Sequence, residues 1–155
     1  MKTIALFPGS FSKFHIGHLN ILRKSQKIFN NVVICIGINQ DKTTPGLAHP
    51  ELEEKYKYCD YLATKTGCNV DVYSCFMHEL VEKYEKLGYN VVVIRGLRNS
   101  KDLEYEMNQM KFVNNFKKID VVYITCDVEY EHISSSAIRK IEELGGSEMS
   151  KTLLV

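Results

Sequence analysis

Imidazole, guanidinium and hydroxyl groups are clustered in three short stretches of this chain, each placed where a strand would give way to a helix. "GSFSKFHIGHL" (9–19) carries His15 and His18 at i and i+3 beside Gly9. "RGLRNSKDLEYE" (95–106) begins with Arg95 and Arg98, and "HISSSAIRK" (132–140) holds Ser134, Ser135 and Ser136 ahead of an apolar helical pattern. Free amides at a helix start, guanidinium forks and imidazole N–H groups all suit phosphate oxygens. Gly9 is expected to let the backbone approach such an anion. The turn is neither a GxxxxGK[ST] loop nor GxGxxG. No nucleophile backed by a general base is evident, so the expected work is alignment and neutralisation of a polyphosphate. A zinc site would need a third ligand, and His49, His78 and His132 do not supply the spacing.

Each stretch also has a plainer role to weigh. The histidines could pack or cap, the serines could cap a helix, and the arginines could pair with Asp102 or Glu104. What favours a site is convergence, which depends on the elements that carry the residues. The runs 3–7, 32–38, 91–94 and 121–124 are short, β-branched and continuously apolar, with 69–73 a weaker fifth, as strands covered on both faces should be. Helical patterning falls at 17–29, 51–65, 78–87, 101–116 and 135–144; in the fourth, Leu103, Met107 and Met110 are expected to face the sheet. The alternation predicts an α/β fold, a Rossmann-like doubly wound sheet of about five parallel strands with helices on both faces. Right-handed crossovers would bring all three stretches to its carboxyl edge.

The chain has 155 residues, 45% of them hydrophobic, and a formal charge of +1. That supports one domain over 1–155, and the near-neutral balance argues against a nucleic-acid partner. The apolar run before Pro8 is too short for a signal peptide or a membrane span, and Cys35, Cys59, Cys68, Cys75 and Cys126 form no CxxC pair. A cytoplasmic protein with reduced thiols and no membrane partner is expected. The loop 39–50, with Lys42, is long enough to act as a lid.

Taken together, "GSFxxFHIGH", "RGLRxxxDLEYE" and "ISSSxIR" resemble the HxGH nucleotidyltransferase superfamily and, within it, the phosphopantetheine adenylyltransferases, from Thr3 to about Lys140. The resemblance implies adenylyl transfer from ATP to 4′-phosphopantetheine with Mg²⁺, giving dephospho-CoA and pyrophosphate, by a homo-oligomer, hexameric in that family. It implies that His18, Lys42 and Arg98 are catalytic. ATP contacts would come from Ser10, Phe11, His15, His18, Gly96, Leu97, Arg98 and Glu106, and from Tyr130, Glu131, His132, Ile133, Ser134, Ser135 and Ser136. Ser10, Lys42, Leu80, Val81 and Arg95 would meet the acceptor.

Two positions depart from the family. Ser12-Lys13 replaces the usual Asp-Pro and brings a cation near the proposed phosphates, and His15 stands where Thr is common. His is commoner there in the nicotinamide mononucleotide and cytidylyl relatives, and the nicotinamide mononucleotide adenylyltransferases, whose motifs "HIGH" and "ISSSAIR" also approximate, are the nearest rival; RGLRNSKDLEYE argues against them. A nucleotide-binding regulator without activity is a second rival, prompted by Ser12-Lys13. "EMSKT" (148–152) beside "HIGH" hints at an aminoacyl-tRNA synthetase, but the chain is too short for an anticodon-reading domain.

Overall fold

The computed structural model describes residues 1–38 and 52–155. Five parallel strands, β1 (Lys2–Gly9), β2 (Val32–Gly37), β3 (Asn69–Tyr73), β4 (Tyr89–Leu97) and β5 (Asp120–Thr125), form one sheet in the order β3-β2-β1-β4-β5. They alternate with α1 (Ile16–Ile28), α2 (Leu52–Thr66), α3 (Met77–Lys86), α4 (Ser100–Asn114) and α5 (Ser135–Glu143). A 3-10 turn at Val128–Tyr130 and a short helix α6 (Ser147–Lys151) complete the chain. The expected doubly wound α/β sheet is therefore the observed one, and "EMSKT" falls on α6 and the residue after it.

Period-two alternation along β1 splits the core. Ala5 and Phe7 face a cluster with Ile21 and Leu22 of α1 and Cys59 and Leu62 of α2. Ile4 and Leu6 face the opposite cluster with Leu80, Val81 and Tyr84 of α3 and Met110 of α4. In α4, Met110 is buried as its spacing demands, while Met107 is 46% exposed. All five cysteines are free thiols. Among the described residues no helix is long and apolar enough to cross a membrane.

Strand order reverses at β1, and the sheet opens there. The ladder of β1 with β2 runs to Gly9↔Ile36, but its ladder with β4 stops at Leu6↔Val93. Pro8 has no N–H to donate, so β1 and β4 separate beyond Leu6 and leave a crevice at the switch point.

Candidate active site

A cavity of about 480 Å³ occupies that crevice, lined from all three stretches. Ser10, Phe11, His15 and His18 come from the β1–α1 turn and the first turn of α1; Arg95, Gly96, Leu97, Arg98 and Glu106 come from the end of β4 and α4; Tyr130, Ile133, Ser134, Ser135 and Ser136 come from the approach to α5 and its first turn. Sequence reasoning did not single out Phe7, Gly17, Ile21, Tyr105 or Cys126, which also line it. These are ordinary core or helix-face residues by pattern, and only the position of the crevice makes them wall.

The β1–α1 turn is built around its imidazoles. His15 is the N-cap of α1: its Nδ1 accepts from the His18 backbone N–H at 3.3 Å, while His18 Nδ1 accepts from the His15 N–H at 3.2 Å. This is a capping box in which imidazoles replace Ser and Glu. The two rings stack with centroids 3.6 Å apart at 17°. An Nδ1 that accepts cannot carry the proton, so both rings are neutral with the hydrogen on Nε2, and His18 offers Nε2–H as a donor. The environment agrees. Burial, followed by the Arg98 guanidinium, lowers His15 to about 4 from the ordinary 6.5. Burial, then His15, then Arg98, place His18 well below the imidazole range. The burial of His18 comes from Phe7, Phe11 and Phe14, whose rings lie 6.5, 4.9 and 5.2 Å from it.

Gly9 has a steric role in addition to the one its sequence context suggests. Its φ is not in the left-handed region; Phe11 is the residue there, at φ 44°. A Cβ on Gly9 would lie 2.8 Å from the Phe11 ring. Glycine thus makes room for the phenyl ring that walls His18, and Phe11 carries the left-handed strain, about 1–2 kcal/mol for an L-residue.

The arginines are held by carboxylates of α4. Arg95 gives Nε and Nη2 to Glu106 at 2.6 and 2.8 Å, with a longer bond from Nη1 to the Pro8 carbonyl at 3.3 Å. Glu106, expected as an ATP contact, has both oxygens on Arg95. Arg98 pairs with Asp102, as the plainer reading allowed. Ser134 caps α5 by accepting from the Ala137 N–H at 3.0 Å, so the cavity wall at Ser134, Ser135 and Ser136 is the start of that helix.

Some sequence assignments fall elsewhere. Glu131 and His132 are exposed and outside the cavity lining. Leu80 and Val81, expected from the resemblance to meet the acceptor, are 0% and 3% exposed in the opposite core, because they form the buried face of α3. Lys42 and the loop 39–50 lie outside the described residues. Lys13 does not line the cavity; it pairs with Glu142 of α5 at 3.3 Å.

The turn is also tied from behind. Tyr58 of α2 accepts from the Phe14 N–H at 3.0 Å. The Ile16 N–H donates to Leu153 O at 2.9 Å, and Val155 N–H donates to Phe14 O at 3.1 Å, around a bridge between His15 and Leu154.

Residues 6–141 match the family model for cytidylyltransferase-like proteins. A phosphopantetheine adenylyltransferase of Porphyromonas gingivalis is 34% identical over 144 residues, covering 93% of this chain and 90% of the relative. One from Leuconostoc citreum is 34% identical over 150 residues, with coverage of 96% and 90%. Among solved structures, a protein assigned as a nicotinate-nucleotide adenylyltransferase from Vibrio parahaemolyticus superposes with a TM-score of 0.59 at 18% identity, covering 92% of this chain and 82% of its own. At that identity the likeness concerns the fold.

Proposed function

We infer that this chain, which belongs to the cytidylyltransferase-like family and to its phosphopantetheine adenylyltransferases, transfers the adenylyl group of ATP to 4′-phosphopantetheine. An oxygen of the acceptor's phosphate attacks the α-phosphorus of ATP, the bond from that phosphorus to the bridging oxygen breaks, and pyrophosphate leaves. A phosphate monoester has its second pKa at ~6 and is largely a dianion at neutral pH, so no general base is required. The protein has to align two polyanions and stabilise charge that appears only during transfer.

The residues divide that work by position. His18, neutral and donating through Nε2, is assigned to the α-phosphate oxygens in the transition state. Arg98 and the first amides of α5 hold the β- and γ-phosphates, helped by the positive end of the helix dipole. Arg95, on the other side of the turn, is assigned to the acceptor phosphate, with Lys42 beside it by resemblance. The observation that carries this reading is the gathering of His18, Arg98 and Ser134 around one cavity at the switch point of the sheet.

Mg²⁺ belongs to the nucleotide in this reading. Among the described residues no three His, Cys, Asp or Glu side chains form a metal-binding group, and both cavity carboxylates are engaged by arginines. The ion would therefore arrive on the triphosphate and neutralise part of its charge. Free thiols at all five cysteines suit a cytoplasmic location. A homo-oligomer, a hexamer by resemblance, completes the proposal.

Pyrophosphate release with ATP and each acceptor in turn tests the activity. 4′-Phosphopantetheine should support turnover; release with nicotinamide mononucleotide alone, the reading that His15 favours, would overturn it. His18→Ala should lower kcat by ~10²–10³ and leave ATP affinity within a few-fold, because the donor acts on charge that the ground state lacks.

A further inference from the structure

Arg98 approaches the cavity already bound. Asp102 Oδ2 accepts from the Arg98 backbone N–H at 2.9 Å and from its Nε at 3.0 Å, and Oδ1 accepts from Nη2 at 3.2 Å. The carboxylate itself stands on a fixed base. Asn99, the N-cap of α4, accepts from the Asp102 N–H at 3.0 Å, so Asp102 is locked into the first turn of the helix. Three bonds from one carboxylate to both the main chain and the fork of a single arginine leave that side chain one orientation. Both N–H groups of Nη1 and one of Nη2 remain for a ligand. Arg98 and Asp102 both line the cavity.

We propose that Asp102 is a positioning residue for the transfer reaction: it aims the Arg98 guanidinium at the phosphates of the bound nucleotide and holds it there before the nucleotide arrives. This rests on the reading of Arg98 as a β- and γ-phosphate ligand. The pre-formed pair avoids the entropy of freezing a long side chain at binding. It also neutralises the guanidinium, so a simple anion gains little and a polyphosphate that fits the remaining N–H groups gains more. Burial raises the Asp102 carboxyl, but the bonds from the Arg98 side chain and backbone outweigh it and hold the group below its ordinary value, so the pair persists across the neutral range. Glu106, one turn further along α4, engages the fork of Arg95 through both carboxylate oxygens, without a bond to its main chain.

A plainer role exists, since an acid in the first turn stabilises α4 through its dipole. Binding measurements on four proteins separate the two: the parent, Asp102→Asn, Arg98→Ala and the double variant, each titrated with ATP, tripolyphosphate and AMP, with Tm recorded alongside. The expected result is a roughly tenfold weaker affinity for ATP and tripolyphosphate in D102N, little change for AMP, and less than twofold further loss when D102N is added to R98A. Unchanged ATP affinity in D102N, or an equal tenfold loss in the R98A background, would overturn the inference alone. If R98A itself binds ATP and tripolyphosphate as the parent does, the assignment of Arg98 fails and this inference fails with it. Asp102→Ser, which keeps a first-turn oxygen for α4, serves in place of D102N should that variant not fold.

Discussion

Replacing His15 by Asn should flatten the acid dependence of stability. Asn is as good an N-cap as any residue and its Oδ1 can accept from the His18 N–H, so α1 keeps its start while one buried imidazole is removed. In the parent, His15 is held neutral down to pH about 4 against an ordinary 6.5. Above pH 6.5 it is neutral in both the folded and unfolded states and contributes nothing to the pH dependence. Between the two values the unfolded chain takes a proton that the folded one refuses, so stability falls as pH falls, and below about 4 the loss stops growing. The slope is about 1.4 kcal/mol per pH unit for one proton, so lowering the pH from 7.5 to 5.0 should remove about 2 kcal/mol through His15. His18, lowered for the same reason, adds a second loss of the same sign. Urea unfolding at pH 5.0, 5.5, 6.0, 6.5 and 7.5 on parent and variant measures the difference. The carboxyls of Asp102 beside Arg98, Asp71 beside Lys83 and Asp127 beside Lys24 are all held below their ordinary value; these pairs weaken only at lower pH and are common to both proteins, so they cancel. A parent and a His15→Asn variant that lose the same stability between pH 7.5 and 5.0 would refute the neutral stacked pair.

Two further outcomes follow from the packing. A Cβ on Gly96 would meet Ile21 Cγ1 at 2.9 Å, so Gly96→Ala should push α1 away from β4 and cost about 1–3 kcal/mol, read as a lowered Tm. Deleting residues 153–155 removes the two backbone bonds to the 14–16 segment. The expected result is a fall in kcat larger than the change in ATP KM, because the segment fixes the start of α1 and hence the direction of His18; steady-state kinetics on the shortened chain checks it.

The location of the site was readable because it depends on topology. Continuous β-branched runs alternating with helical patterns permit few arrangements, and right-handed crossovers then bring strand ends together regardless of detail. His18, Arg98 and the serines that cap and open α5 accordingly line one cavity. Their partners were another matter. Asp102 stood in plain view within the RGLR stretch, four residues after Arg98, yet its spacing equally fitted an exposed helix pair. In the sequence Lys13 reads as an added cation near phosphate; in the fold its partner is Glu142, far along the chain.

The sequence by itself determined the order of elements, the meeting of three strand ends at the carboxyl edge of a parallel sheet, and the kinds of donor gathered there. Those follow from periodicity, chain chirality and covalent geometry, which are local. Only the tertiary structure decided that the two imidazoles cap one another, that Gly9 yields space to Phe11, that each arginine is held by a carboxylate, and that Leu80 and Val81 belong to the core. Such pairings are settled by which side chains, distant or near in the chain, are left facing each other once the sheet is packed on both faces; local pattern offers some of them, as it does Arg98 with Asp102, without choosing among the alternatives.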